Sequence, residues 1–116
     1  MAYISQENKK VIAANIKPIL KKYGIKATLS IHNHSTIHLN VKSGKIDFGA
    51  KDREVSEYHM AKNYSGVALE FLNEANAALR SAGWYDKSDI MTDYFNTAYY
   101  YYIKIGKYNK PYILEI

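Results

Sequence analysis

Cysteine is absent from this 116-residue sequence, and arginine and proline occur only twice each. Without cysteine the chain has no disulfide, no thiolate metal site and no cysteine nucleophile. No apolar run approaches the ~18 residues of a transmembrane helix, and the first residues lack the apolar centre of a signal peptide. The 47% of hydrophobic residues is nevertheless ordinary for a globular protein. We therefore expect a cytoplasmic protein that does not contact a membrane, folded as a single domain over residues 1–116.

The positive charge is concentrated at the start of the sequence. Residues 1–26 carry six lysines and one glutamate, whereas residues 27–116 carry ten basic and ten acidic side chains. A basic segment on a neutral body can attract nucleic acid, an anionic nucleotide or an acidic protein. The alternative is that these lysines form only the solvated side of a helix, since the segment has no arginine for bidentate phosphate contacts.

Apolar residues spaced by three and four predict a helix over residues 5–23. Ser5 is a suitable N-cap and Gly24 a suitable residue after the last turn. Pro18 should kink this helix or split it, because proline has no N–H to donate to the carbonyl four residues earlier. The same spacing returns after Ser65 and predicts a second helix that stops before Gly83.

Alternating polar and apolar residues predict strands at 26–33 and 36–42, joined as a hairpin. Residues 53–60 fit a strand or a short helix, and we favour a strand. Aromatic and β-branched residues predict a last strand within 96–106. The resulting fold class is α+β, in the order α-β-β-β-α-β, a two-layer sandwich with two helices on one face of an antiparallel sheet. The expected core comprises Ile12, Ile16, Ile19, Leu20, Leu29, Ile31, Ile37, Leu39, Val41, Phe71, Leu72, Leu79, Tyr101, Ile103 and Ile105.

Four consecutive tyrosines, residues 99–102, begin the last predicted strand. Because side chains alternate along a strand, Tyr100, Tyr102 and Lys104 should lie opposite the face that carries Ile103 and Ile105. The face with the isoleucines must be the buried one. If this strand joins the hairpin, its tyrosines lie on the open side of the sheet.

The hairpin places two histidines on that same open side. Exposed tyrosine, histidine and lysine side chains on a sheet are typical of surfaces on which single-stranded bases stack. The same rings would also suit contact with another protein or another copy of this chain, or they simply cover the sheet. The candidate ligand-binding residues are His32, His38, Tyr100, Tyr102 and Lys104 on the sheet, with Lys10, Lys17 and Lys21 on the first helix.

Other titratable residues give little support for catalysis or metal binding. His32 and His38 are diagonal neighbours without a carboxylate beside them, so we expect no metal ion and no cofactor. Asp86, Asp89 and Asp93 follow Trp84 and suggest a metal or acid–base site, but their spacing fits no calcium loop, and we favour Ser88 or Asp89 as the cap of a short helical turn. The sequence has no P-loop, dinucleotide fingerprint, GxSxG or HExxH motif. We therefore predict that the protein is not an enzyme.

Three stretches of the chain carry a resemblance to a known family. They are IAANIKPILKKYGIK (12–26), STIHLNVKSGKIDF (35–48) and WYDKSDIMTDYFNTAYYYYIKIGKYNKPY (84–112). Together they resemble the large polyvalent protein-associated domain family, short α+β modules of phages and other mobile elements. The resemblance implies an accessory protein acting in the cytoplasm of a host bacterial cell, often against host defences. It implies no catalytic residue.

Two functions remain open at this point. The first is non-enzymatic binding of nucleic acid or an anionic nucleotide, with stacking on the aromatic face, charge from the first helix, and affinity that falls as salt rises. The second is a protein–protein interaction module that binds and inhibits a host or defence protein through tyrosine and tryptophan anchors. A homo-oligomer is compatible with both functions.

Overall fold

The computed structural model describes residues 3–49, 53–55, 60–84, 98–106 and 111–115. The elements are helix α1 (Gln6–Tyr23), strands β1 (Ile25–His32), β2 (Thr36–Gly44) and β3 (Arg53–Val55), helices α2 (Met60–Asn63) and α3 (Gly66–Leu79), and strands β4 (Tyr100–Ile105) and β5 (Ile113–Leu114). The predicted α+β class and the order of the main elements are confirmed. The single-turn helix α2 and the two-residue strand β5 are not in the predicted order, although the closing residues 108–116 suggest a short edge strand.

The sheet has the strand order β1-β2-β4-β3, with β5 also paired to β2. The pairs β1–β2 and β3–β4 are antiparallel, but β4 and β5 both run parallel to β2. The prediction of an antiparallel sheet is therefore wrong, and the sheet is mixed. Parallel neighbours need a long crossover connection, and the chain between β2 and β4 supplies one that includes α3.

Helix α1 is continuous through Pro18, so the expected split is absent. Pro18 lies on the exposed side of the helix, as does Ala14, whose carbonyl has lost its usual N–H donor. Water can solvate that carbonyl, which removes much of the cost of an interior proline. The helix ends agree with the sequence: Ser5 Oγ accepts the Asn8 N–H at 3.1 Å, and Gly24 adopts the left-handed conformation with φ 66°.

Both long helices cover one face of the sheet. Edge-to-face contact joins them through Tyr23 and Phe71, whose ring centroids are 5.5 Å apart. Every residue of the expected core lies in the core cluster or against it, but five are only half-buried: Ile19, Leu20, Leu29, Ile31 and Tyr101. Leu29 and Ile31 belong to β1, which stands at an edge of the sheet and has one neighbouring strand among the described residues.

Some sequence predictions fall partly or wholly outside the described residues. Within 53–60, residues 53–55 form β3 and Met60 begins α2, whereas residues 56–59 are not described. Asp86, Asp89 and Asp93 likewise lie outside the described residues. In the described part of the chain, no helix has both the length and the apolar character that a membrane crossing requires.

Candidate functional site

Three cross-strand rows of side chains lie on the face of the sheet opposite the helices. This open face follows from the pairing register of β1, β2 and β4. The rows are His32–Thr36–Tyr100, Ser30–His38–Tyr102 and Thr28–Asn40–Lys104. The predicted alternation along the tyrosine run is confirmed, since Tyr99, Ile103 and Ile105 are buried while Tyr100 and Tyr102 are 44% and 39% exposed.

The centre of the open face is a chain of three rings. The rings of His32 and His38 have centroids 4.1 Å apart and planes inclined by 30°. The rings of His38 and Tyr102 make an edge-to-face contact with centroids 5.5 Å apart. His38 and Tyr102 stand on β2 and β4, the two inner strands of the sheet. A planar molecule lying over this centre would therefore contact aromatic surface from two adjacent strands.

Hydrogen bonds hold the imidazole end of this ring chain in place. Ser30 Oγ lies 3.0 Å from His32 Nε2, and Asn40 Nδ2 donates to the same Ser30 oxygen at 3.1 Å. These polar side chains come from β1 and β2, so they fix the rings relative to the strands. Such preorganisation reduces the entropy that a ligand loses when it orders the surface.

The charges on and beside the open face are mixed. The pKa of His38 is lowered to about 4, first by partial burial and then by the charges of His32 and Lys104. The His38 ring is therefore neutral at pH 7. Lys104 pairs in register with Glu54 of β3, and Lys26 Nζ lies 3.4 Å from a carboxylate oxygen of Glu115. Lys42 of β2 is exposed as well, so this part of the sheet can still attract phosphate groups.

The lysines predicted on the first helix do not join the open face. Lys10, Lys17 and Lys21 are exposed on α1, whose buried side, with Ile12 and Ile16, packs in the core. That core lies on the opposite side of the sheet from the ring chain. The five sheet residues of the candidate site thus share one surface, whereas its three lysines belong to another.

Trp84, a suspected anchor, also lies away from the open face. Its Nε1 donates to the Tyr99 carbonyl at 2.8 Å, and its ring meets that of Tyr101 with centroids 5.6 Å apart. The Arg80 guanidinium stacks over the indole at 4.4 Å. Because Tyr99 and Tyr101 point to the helix side of β4, these contacts make Trp84 a structural residue that ties the end of α3 to the sheet.

Ile113 of β5 is a surface feature that the sequence analysis missed. The register of β1 against β2 shifts between Lys26 and Ala27, and Ser43 of β2 pairs with Lys26 on one side and with Ile113 on the other. Ile113 is 63% exposed. The apolar character of a two-residue strand gives no periodicity from which this position could have been predicted.

Nothing in the described residues forms a metal site, because no group of three or more histidine or acidic side chains could hold an ion there. Comparisons with protein-family models, curated proteins and solved structures find no match for this chain.

Proposed function

We propose that this protein is a non-enzymatic binder of single-stranded nucleic acid, and that bases stack on the open face over His38, Tyr102 and Tyr100. The ring chain across β1, β2 and β4 carries this proposal. Single-stranded bases expose their flat faces, and aromatic side chains on a sheet are a sequence-tolerant platform for them. In this proposal Lys104, which follows Tyr102 on the same face of β4, contacts a phosphate.

Base stacking on the ring chain is the main source of affinity in this proposal, because the α1 lysines lie on the other side of the sheet. We therefore leave the α1 lysines out of the binding site, which revises the expectation of strong salt dependence. The biological setting in this proposal, a mobile-element accessory protein in a bacterial host, comes from the family resemblance.

Fluorescence anisotropy with a labelled mixed-sequence oligonucleotide tests the proposal. Stacking on two rings at about 1 kcal/mol or more each predicts that Tyr100→Ala/Tyr102→Ala loses about thirtyfold or more in affinity. The matched variant Tyr100→Phe/Tyr102→Phe keeps both rings and should bind within about twofold of wild type. A duplex of the same sequence should bind more weakly because its bases are already stacked. Equal binding by the alanine and phenylalanine variants would contradict the proposal.

Exposure of Ile113 favours a second candidate function, the binding of a host or defence protein. An aliphatic side chain offers little to a nucleobase but is a normal part of a protein interface. In a pull-down from bacterial lysate, the wild type should then retain one bacterial protein at equal stoichiometry, and the Ile113→Ser variant should not retain it. The same substitution should leave oligonucleotide binding unchanged if the first proposal is correct.

A further inference from the structure

Strand β1 has an outer edge along which the described residues place no other strand. Among the described residues, β2 is its only neighbour in the sheet. The direction of its backbone groups follows from Val41, whose carbonyl accepts the Gly106 N–H at 2.8 Å and therefore points toward β4. Val41 pairs in register with Ala27. The backbone N–H and C=O of Val41 therefore point away from β1, so Ala27 forms no backbone hydrogen bond with β2. The N–H and C=O of Ala27 point outward, away from the sheet.

The alternation of an antiparallel pair extends this result along β1. Along an antiparallel strand, residues that form backbone hydrogen bonds with the neighbouring strand alternate with residues that do not. The N–H and C=O groups of Ala27, Leu29 and Ile31 therefore all point away from the sheet. Their side chains are half-buried on the helix side, so a strand added at this edge would satisfy six backbone groups and cover further apolar surface.

Within its own sequence, β1 lacks the features with which edge strands usually block strand addition. Such features are inward-pointing charges, prolines, bulges in the middle of the strand and very short edge strands. β1 has eight residues, no proline and one lysine, Lys26, near its start. Its irregularity lies between Lys26 and Ala27, outside the stretch from Ala27 to His32.

We propose that β1 pairs antiparallel with β1 of a second copy of this chain, about a twofold axis at Leu29. In this register Leu29 faces Leu29, and the remaining pairs are Thr28 with Ser30, Ala27 with Ile31, and Lys26 with His32. Polar residues meet polar residues on the open face, and apolar residues meet apolar residues on the helix side. Two lysines opposite each other would destabilise the pairing, and this register contains no such pair.

Self-complementarity is the reason for choosing a second copy over another extended peptide. Any strand could satisfy the outward backbone groups, but the sequence of β1 matches its own reverse at every pair. A twofold interface requires that property, because each residue contacts the same surface in both directions. The dimer would have a continuous sheet of ten strands, and the two open faces would form one surface.

A charge exchange at Thr28 and Ser30 tests both the dimer and its register. Thr28→Lys/Ser30→Lys and Thr28→Glu/Ser30→Glu each place like charges opposite one another, and either should weaken dimerisation about tenfold. Thr28→Lys/Ser30→Glu places opposite charges together and should dimerise at least as well as wild type. An equimolar mixture of the two like-charge variants should form heterodimers. Sedimentation velocity gives the association constants, and circular dichroism confirms that each variant is folded.

Introduced cysteines provide a second test, since the wild-type chain has none. The register predicts that Thr28→Cys mixed with Ser30→Cys forms a disulfide between chains rapidly. Thr36→Cys, away from the edge on the open face, should not form one. A wild-type chain that stays monomeric at millimolar concentration would overturn the proposal. So would a dimer that is insensitive to the like-charge variants or that crosslinks equally through residue 36. Both tests are made without nucleic acid, so their result is independent of the proposed function.

Discussion

His38 and Leu39 are consecutive residues of β2, yet they lie in two different environments. Leu39 is completely buried beneath the helices, whereas His38 lies half-buried in the ring chain of the open face. The covered face consists of aliphatic and aromatic residues whose burial stabilises the fold. The open face holds imidazole, phenol and amide groups that contribute less to stability. Function is therefore better sought on the open face, and each prediction below tests this distinction.

Truncation of Leu39 should have the largest effect on stability. Leu39→Ala removes buried methyl groups from the middle of the sheet, and we expect a loss of about 2–5 kcal/mol in the free energy of unfolding. On the open face, Tyr102→Ala should cost about 1 kcal/mol or less, because its side chain is partly solvated. Urea denaturation monitored by circular dichroism measures both values. Equal losses would show that the open face is a structural surface, and the binding proposal would then lose its basis.

A smaller effect should separate two neighbouring tyrosines. The buried Tyr99 hydroxyl donates to the Leu79 carbonyl at 2.5 Å. Tyr99→Phe leaves that carbonyl without this donor and should cost about 1–2 kcal/mol. Tyr100→Phe removes an exposed hydroxyl and should leave the unfolding free energy unchanged within error. Thermal unfolding of the two variants side by side checks the alternation that defines the two faces, and equal melting temperatures would argue against it.

This alternation was predictable from the sequence because it depends only on local geometry. Tyr99–Tyr102 are followed by Ile103, Lys104 and Ile105, and the two isoleucines share one face of the strand. Burying that face fixes which tyrosines are covered and which are exposed. The hairpin was predictable for the same reason. The position of the lysines also follows from the predicted layers, since a helix that covers one face cannot present its charges on the other.

The direction of β4 could not be predicted in this way. The chain between β2 and β4 is long enough to return to either end of β2, so local patterns do not decide between parallel and antiparallel pairing. The stacking of His32 on His38 was also beyond the sequence. Their diagonal relation was predicted, but the closeness of the rings depends on side-chain rotamers that Ser30 and Asn40 help to select.

The pH dependence of stability should report on the His38 environment. The pKa of His38 in the folded protein is about 4, below its ordinary value of 6.5. Between these values the unfolded chain binds a proton that the folded chain does not, so stability falls as the pH is lowered through this window. Because the ring is only partly buried, we expect a loss of about 1 kcal/mol rather than the full value of the shift. His38→Gln should remove this contribution in chemical denaturation at pH 7 and pH 4. An unchanged pH profile in that variant would assign the dependence to other groups.

The smallest expected effect is that of the helix lysines on oligonucleotide binding. Lys10→Gln/Lys17→Gln/Lys21→Gln removes three of the charges that first suggested a nucleic-acid partner, but these residues lie across the sheet from the ring chain. At physiological salt the affinity should change by about twofold or less, whereas Lys104→Gln should lower it by about threefold. The logarithm of the binding constant, plotted against the logarithm of the salt concentration, should have a slope between about −0.7 and −1.4. These slopes correspond to one and two phosphate contacts with a single strand. A tenfold loss in the triple variant, with a correspondingly steeper slope in the wild type, would mean that the ligand passes around the sheet edge to reach α1. The two sides of the molecule would then act as one binding surface.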